Sequence, residues 1–271
     1  MSTIQSAPAV VVGVDGSRAA IHAALWAVDE AVSRDIPLRL VYVIDPLRAS
    51  GDGSHDGRQI IARAALYEAY RAVDASGKPV KIETDVLWGR PLTKLLQESR
   101  SAAMICVGSI GLNHACRGEG TVAAALAGSA LCPVAVIHRP PGTSASPQIS
   151  AVVAGVDNGV VLRHAFEEAR MREVPLRVIS AHHTDAHHSG HDSDDESRSA
   201  QTQLDRRLAR WTRLYPDVRV EPAVIHESVA CYLERHANSG QAFVTDAHAA
   251  RDLCGAYTAG CSMLTVRCGN L

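Results

Sequence analysis

Residues 9–15 read Ala-Val-Val-Val-Gly-Val-Asp, and residues 151–157 read Ala-Val-Val-Ala-Gly-Val-Asp. Each run is apolar without alternation and stops at Gly-Val-Asp. That is how a strand covered on both faces looks, as in parallel sheets. A helical spacing follows each run. Ile21, Ala24, Leu25, Val28 and Val32 share one helix face, and Leu162, Ala165, Phe166 and Ala169 share another. Both helices give way to Pro-Leu-Arg, at 37–39 and 175–177, opening a second apolar run. Proline stops a helix and is tolerated at the start of a strand. The recurrence marks an internal repeat.

Working outward from the first run, the pattern predicts an amphipathic helix over 58–76, a strand over 79–86 and a helix over 91–100 opening at Pro91. A buried strand at Met104–Val107, a Gly-rich loop, a helix near 121–130 and a strand at Pro133–His138 complete the first half. Five strands alternating with four helices make a doubly wound parallel sheet. The second half repeats this more loosely, with strands near 151–156, 176–181, 218–225, 241–245 and 262–267. The Pro- and Gly-bearing stretch 139–149 reads as the linker. The expected fold is α/β, two tandem doubly wound five-stranded parallel-sheet (Rossmann-like) domains, at 1–140 and 150–271.

Composition narrows the function classes. The chain has 271 residues, 27 Lys+Arg against 29 Asp+Glu and a formal net charge of −2. Neither half is basic, which argues against nucleic-acid binding, whose affinity comes largely from phosphate neutralisation. No apolar run is long enough for a membrane span, and no secretory signal is visible. The seven cysteines, without a Cys-x-x-Cys, fit reduced thiols, so a cytoplasmic setting is expected. Cys261 and Cys268 lack a positioned base and read as small buried apolar residues. No Gly-x-Ser-x-Gly elbow occurs, so no catalytic residue is assigned.

In open parallel sheets ligands bind beyond the carboxyl ends of strands, where the strand order reverses. Two segments carry suitable chemistry there. One is Gly13-Val14-Asp15-Gly16-Ser17; the other is Val107-Gly108-Ser109-Ile110-Gly111, followed by Gly120-Thr121. Glycines let backbone amides approach an anion. Gly120-Thr121 opens a helix, whose amides and dipole favour phosphate. Thr121 adds a hydroxyl, and Arg117 is near enough in sequence to assist. The expected ligand is an oligophosphate on loop 108–121 with its nucleoside near Asp15. A carboxylate suits a ribose hydroxyl, a base edge or a metal ion. Asp15 as a mere helix cap, the glycines as mere turns and Arg117 as a solvated loop residue are the competing readings. A Walker-type loop and a Gly-x-Gly-x-x-Gly turn are both absent.

Gly-Val-Asp-Gly-Ser after the first strand, Val-Tyr-Val-Ile-Asp at 41–45, Gly108-x2-Gly111 with Gly120-Thr121, and Cys132-Pro-Val-Ala-Val-Ile137 together resemble the universal stress protein family. The resemblance covers nearly all of the first half and, more weakly, the second. The ATP-binding subgroup carries Gly-x2-Gly-x9-Gly-[Ser/Thr]; here eight residues, not nine, separate Gly111 from Gly120. The resemblance implies that Asp15 contacts adenine or ribose, with Val14 and Gly16 as backbone neighbours. It places Val43 against adenine, Val107 and Gly108 under ribose and phosphates, and Gly111, Gly120, Thr121 and Val122 around the phosphates.

The resemblance also implies ATP, with or without magnesium, as the ligand. The expected role is a nucleotide-dependent regulator of stress response or growth arrest, with slow hydrolysis at most and no general base evident near the γ-phosphate. Association would run through the last strands, as a homodimer or an intramolecular pseudo-dimer. Two alternatives stand beside it: a nucleotide-cleaving or nucleotide-transferring enzyme of the same superfamily, and an interaction protein with a vestigial site. In the second half Thr245 and His248 are read as replacing the two loop glycines, with Asp246 as an added carboxylate, so one ATP per chain is expected. The segment His182–Asp192 holds five of the thirteen histidines. It reads as a polar loop, and no metal site is assigned.

Overall fold

A computed structural model describes residues 8–47, 55–109, 122–138, 149–181, 192–249 and 260–267. The chain divides into two compact units, Met1–Pro147 and Gln148–Leu271. In the first, strands β1 (Val10–Val14), β2 (Leu38–Ile44), β3 (Ile82–Trp88), β4 (Met104–Gly108) and β5 (Val134–Ile137) alternate with helices α1 (Arg18–Arg34), α2 (His55–Asp74), α3 (Pro91–Glu98) and α4 (Val122–Ser129). The strand order is β3-β2-β1-β4-β5, and each pairing is parallel. Helices α1 and α2 pack together, as do α3 and α4. Right-handed crossovers put the two pairs on opposite faces. Leu38, Leu40, Met104 and Ile105 are fully buried between them. Truncating one of these to alanine costs about 2–5 kcal/mol.

The second unit holds β6 (Ala151–Gly155), α5 (Gly159–Met171), β7 (Leu176–Ala181), α6 (Asp192–Leu214), β8 (Val220–Ile225), α7 (Val229–His236), β9 (Gln241–Asp246) and β10 (Ser262–Val266). Its order, β8-β7-β6-β9-β10, is again parallel throughout. Phe166 of α5 stacks on Trp211 of α6 and on Tyr215 just beyond it, with centroids 5.7 and 5.1 Å away. Leu233 of α7 joins Val153, Ile179, Phe243 and Met263 in a second cluster.

The repeat extends into details that spacing alone does not show. Arg-Asp-Ile-Pro-Leu-Arg (34–39) and Arg-Glu-Val-Pro-Leu-Arg (172–177) end the first helix of each unit. Asp35 (φ 52°) and Glu173 (φ 55°) both adopt the left-handed region. Ile36 N–H donates to the Ala31 carbonyl and Val174 N–H to that of Ala169. That is the hydrogen-bond pattern of a Schellman ending, here without its usual glycine. One turn earlier, buried Glu30 pairs with Arg34 and buried Glu168 with Arg172.

The expected strand over 79–86 lies later, at Ile82–Trp88. Proline at 79 has no N–H to give, and the ladder to β2 starts at Lys81, whose carbonyl accepts from Leu38. It continues until Trp88 meets Ile44, the last residue of β2. The expected helix over 58–76 starts three residues sooner, at His55, and stops at Asp74, where Gly77 turns the chain at φ 66°.

Candidate functional site

The order of unit 1 reverses between β1 and β4, so their carboxyl ends bound the crevice in which such sheets bind ligands. Val12 pairs with Cys106, and extending that register by two residues brings Val14 level with Gly108. The turn after β1 is built on Asp15. Its Oδ1 accepts the Ser17 N–H at 2.9 Å, and Ser17 Oγ in turn accepts the Ala20 N–H at 3.1 Å as the N-cap of α1. Gly16 between them has φ 83°, which a side chain would strain. Asp15 therefore does shape the start of α1, as its capping reading requires. It is also half-buried at the edge. Burial raises the pKa of the Tyr42 phenol, and the charge of Asp15 raises it further. A carboxylate beside a neutral phenol at a strand-end crevice can accept hydrogen bonds from hydroxyl or amino groups of a ligand.

The valines take different places. Val14 and Val107 are buried, and Val107 lies 3.2 Å from where a Cβ on Gly13 would stand, with Leu95 of α3 beside it. What these two offer a ligand is main chain. Val43 is half-buried on β2, and Val122 is exposed as the first residue of α4. Gly108 ends β4 against α1: a Cβ there would lie 2.7 Å from Ala19. Gly111, Arg117, Gly120 and Thr121 lie outside the described residues.

The structure adds two side chains. Ser109 N–H donates to the Ile137 carbonyl at 2.9 Å, carrying the β4–β5 ladder one residue further. Its Oγ stands 3.5 Å from Nδ1 of His138. Burial lowers the pKa of that imidazole, so it is neutral at pH 7. Neither side chain was singled out by the sequence pattern as part of a site. Twenty-nine residues separate the pair, and only the strand register joins them.

The second unit treats the same edge differently, and one alignment is corrected. Ala154 pairs with Val244 where Val12 pairs with Cys106, which puts Thr245 at the level of Val107 and Asp246 at that of Gly108. The glycine's place is therefore taken by aspartate rather than threonine. Strand register, not the run of letters after the strand, fixes the equivalence. Thr245 is buried in β9. Asp246 Oδ1 accepts from the N–H groups of His248 and Ala249, at 2.8 and 2.9 Å. The turn after β6 is one residue shorter. Asn158, directly after Asp157, caps α5 by accepting from Val160 and Val161. Asp157 itself is paired with Arg207 of α6 at 2.8 Å.

Other side chains behave as structural residues. Burial pushes the Cys132 and Cys261 thiols up to about 11. Cys268 and the histidines at 182–191 lie outside the described residues. Among the described residues, no group of three or more His, Cys, Asp or Glu could hold a metal ion, and no helix is long and apolar enough to cross a membrane.

Comparison with known proteins matches residues 8–138 to the universal stress protein family model. Universal stress protein Rv3134c of Mycobacterium tuberculosis (strain ATCC 25618 / H37Rv) is 63% identical over 274 residues, covering all of both chains. Universal stress protein Rv2028c of the same strain is 40% identical over 282 residues, covering 98% of each. Among solved structures, a universal stress protein from Archaeoglobus fulgidus DSM 4304 superposes with a TM-score of 0.67 at 13% identity, covering 97% of each chain, a likeness of fold. Full-length identity of this order, together with the family match over the first unit, establishes that the chain belongs to the universal stress protein family.

Proposed function

We propose that the first unit binds ATP and that the chain acts as a nucleotide-dependent regulator of stress response or growth arrest. The observation that carries this reading is the switch point itself. It sets the Asp15-Gly16 turn beside the Gly108 end of β4, with a carboxylate for the nucleoside and an α-helix N-terminus next to it. α1 has no acidic residue in its first turn, and the Asp15 carboxylate just before its cap is assigned to the nucleoside and not to the phosphates. Gly111, Arg117, Gly120, Thr121 and Val122 are assigned to the phosphates on sequence alone.

One nucleotide per chain is part of the proposal. In the second unit Asp246 stands at the glycine's level, and an added carboxylate disfavours an oligophosphate by repulsion. Calorimetric titration of the full chain with ATP tests the reading, alongside mass spectrometry of the supernatant after denaturation. We expect saturation at one ATP per chain. Two equivalent sites, or no heat and no carried nucleotide, would reject it.

A further inference from the structure

We propose that the outer edge of the unit 1 sheet is a docking site for an extended segment of a partner protein. The segment adds a strand to β3 and carries basic side chains on the face it shares with Glu83 and Asp85.

Hydrogen-bond parity decides which main-chain groups of β3 are left over. Leu38 N–H donates to the Lys81 carbonyl, and Gly89 N–H donates to the Ile44 carbonyl. The odd-numbered residues between these two bonds therefore turn their N–H and C=O groups to β2. Ile82, Thr84, Val86 and Trp88 turn theirs the other way, and β3 is the last strand in its order. Among the described residues no strand pairs with that side. β3 runs for seven residues without a proline. Such an edge is a ready template for another strand.

The second unit blocks the same edge. Leu176 N–H donates to the Arg219 carbonyl as Leu38 N–H does to that of Lys81, so Val220, Pro222 and Val224 of β8 face outward. Pro222 pairs with Val178 where Thr84 pairs with Leu40. Proline in the middle of an edge has no N–H to offer and keeps a further strand from pairing. Unit 1 holds an exposed Thr84 at that place.

The side chains say what the open edge takes. Trp88 stacks on His55 of α2 with 4.1 Å between centroids, so the even-numbered residues of β3 point to the α2 face. Ile82 and Val86 make that face apolar. On the opposite face Asp85 pairs with Arg39 at 2.6 Å and Glu83 with Lys81 at 2.7 Å, yet the two carboxylate side chains stay 40% and 42% exposed. Glu98 of α3 shares the same Arg39, so this face keeps an excess of acid. A second copy of β3 laid antiparallel about Thr84 would set Glu83 opposite Asp85, and one laid about Asp85 would set that residue opposite itself. Like charges directly opposite are destabilising. A segment that alternates basic and apolar residues meets both faces.

The test is binding of a fluorescein-labelled peptide alternating arginine and valine to the full chain, read by anisotropy. A glutamate–valine peptide is the charge control, and hydrogen exchange locates the site. We expect the arginine peptide to bind and to slow amide exchange in Ile82–Trp88. Thr84→Pro copies the residue that unit 2 holds at this level and removes an N–H that β2 does not use. That variant should keep its fold and bind at least about tenfold more weakly. Glu83→Lys leaves the main-chain edge as it is; it should weaken the arginine peptide several-fold and favour the glutamate one. Absence of binding, equal binding of the two peptides, protection elsewhere in the chain, or unchanged affinity in a folded Thr84→Pro overturns the proposal. Sedimentation of the chain alone as a dimer that Thr84→Pro dissolves would give the edge to a second copy and overturn it as well.

Discussion

A Cβ placed on Gly108 would lie 2.7 Å from both the carbonyl carbon and the Cβ of Ala19. Glycine at the end of β4 is therefore required by helix packing before any ligand is considered. Loss of nucleotide binding in a Gly108→Ala variant would report displacement of α1 as much as loss of a phosphate contact. We expect Gly108→Ala to lower stability by about 1–3 kcal/mol, the usual range for overpacking. Adding Ala19→Gly should recover part of that loss. Urea melts of the three variants check it, and equal losses in the Gly108→Ala single and the double variant would show that the Ala19 Cβ is not the obstacle.

The turn hydrogen bond of Asp15 and its proposed nucleotide contact can be separated by substitution. Asparagine keeps an Oδ1 able to accept the Ser17 N–H, and Asn158 accepts main-chain N–H groups at the related turn of unit 2. Asp15→Asn should thus melt like the wild type yet, if the proposed site holds, bind ATP about tenfold more weakly for want of the carboxylate charge. Asp15→Ala should bind as weakly and also lose about 1 kcal/mol of stability with its hydrogen bond. Calorimetry and thermal melts read the two effects separately. An Asp15→Asn variant with unchanged affinity would leave Asp15 a helix-start residue only.

The buried thiols give a pH prediction. Burial pushes Cys132 and Cys261 up to about 11, so at pH 8 both are protonated and lack the nucleophilic thiolate. Iodoacetamide labelling of the native protein at pH 8, mapped by mass spectrometry, should spare them and reach them after denaturation. The thiolate fraction, and with it reactivity, should climb as pH approaches 11. Rapid native labelling of either cysteine at pH 8 would contradict its burial.

The two helix-end ion pairs should differ in weight. The Arg172 side chain is 8% exposed, whereas that of Arg34 is 31% exposed. Arg172→Ala leaves the Glu168 carboxylate buried with less compensation and should cost about 3 kcal/mol. Arg34→Ala should cost less, because water can take over part of the role of the guanidinium. Denaturant melts of the two variants establish the order, and the reverse order would mean that exposure does not set these costs.

Element types were legible because buried parallel strands and proline stops leave coarse marks in the chain. Val10–Val14 and Ala151–Gly155 are such runs, and Pro37 and Pro175 sit before β2 and β7. Ladder limits were less legible, since β3 ends where its partner does, with Trp88 on Ile44. The candidate site was read in its local parts, the turn at Asp15 and the glycine at 108. Its long-range parts were not. Ser109 and His138 are brought together by register, and no spacing between them signals it. For the same reason Asp246, not Thr245, proved to be the counterpart of Gly108.

The turn after the opening strand holds one more residue in the first unit than in the second: Gly16 stands between Asp15 and the Ser17 cap, whereas Asn158 follows Asp157 at once. Both halves kept the same helix endings, down to the acidic residue in left-handed conformation before Ile-Pro or Val-Pro. Duplication therefore left the load of folding in both copies and let their strand-end rims drift apart. A single-codon insertion of glycine after Asp157, made with Asp246→Gly, is the shortest route by which evolution or an engineer could hand the second half the rim of the first.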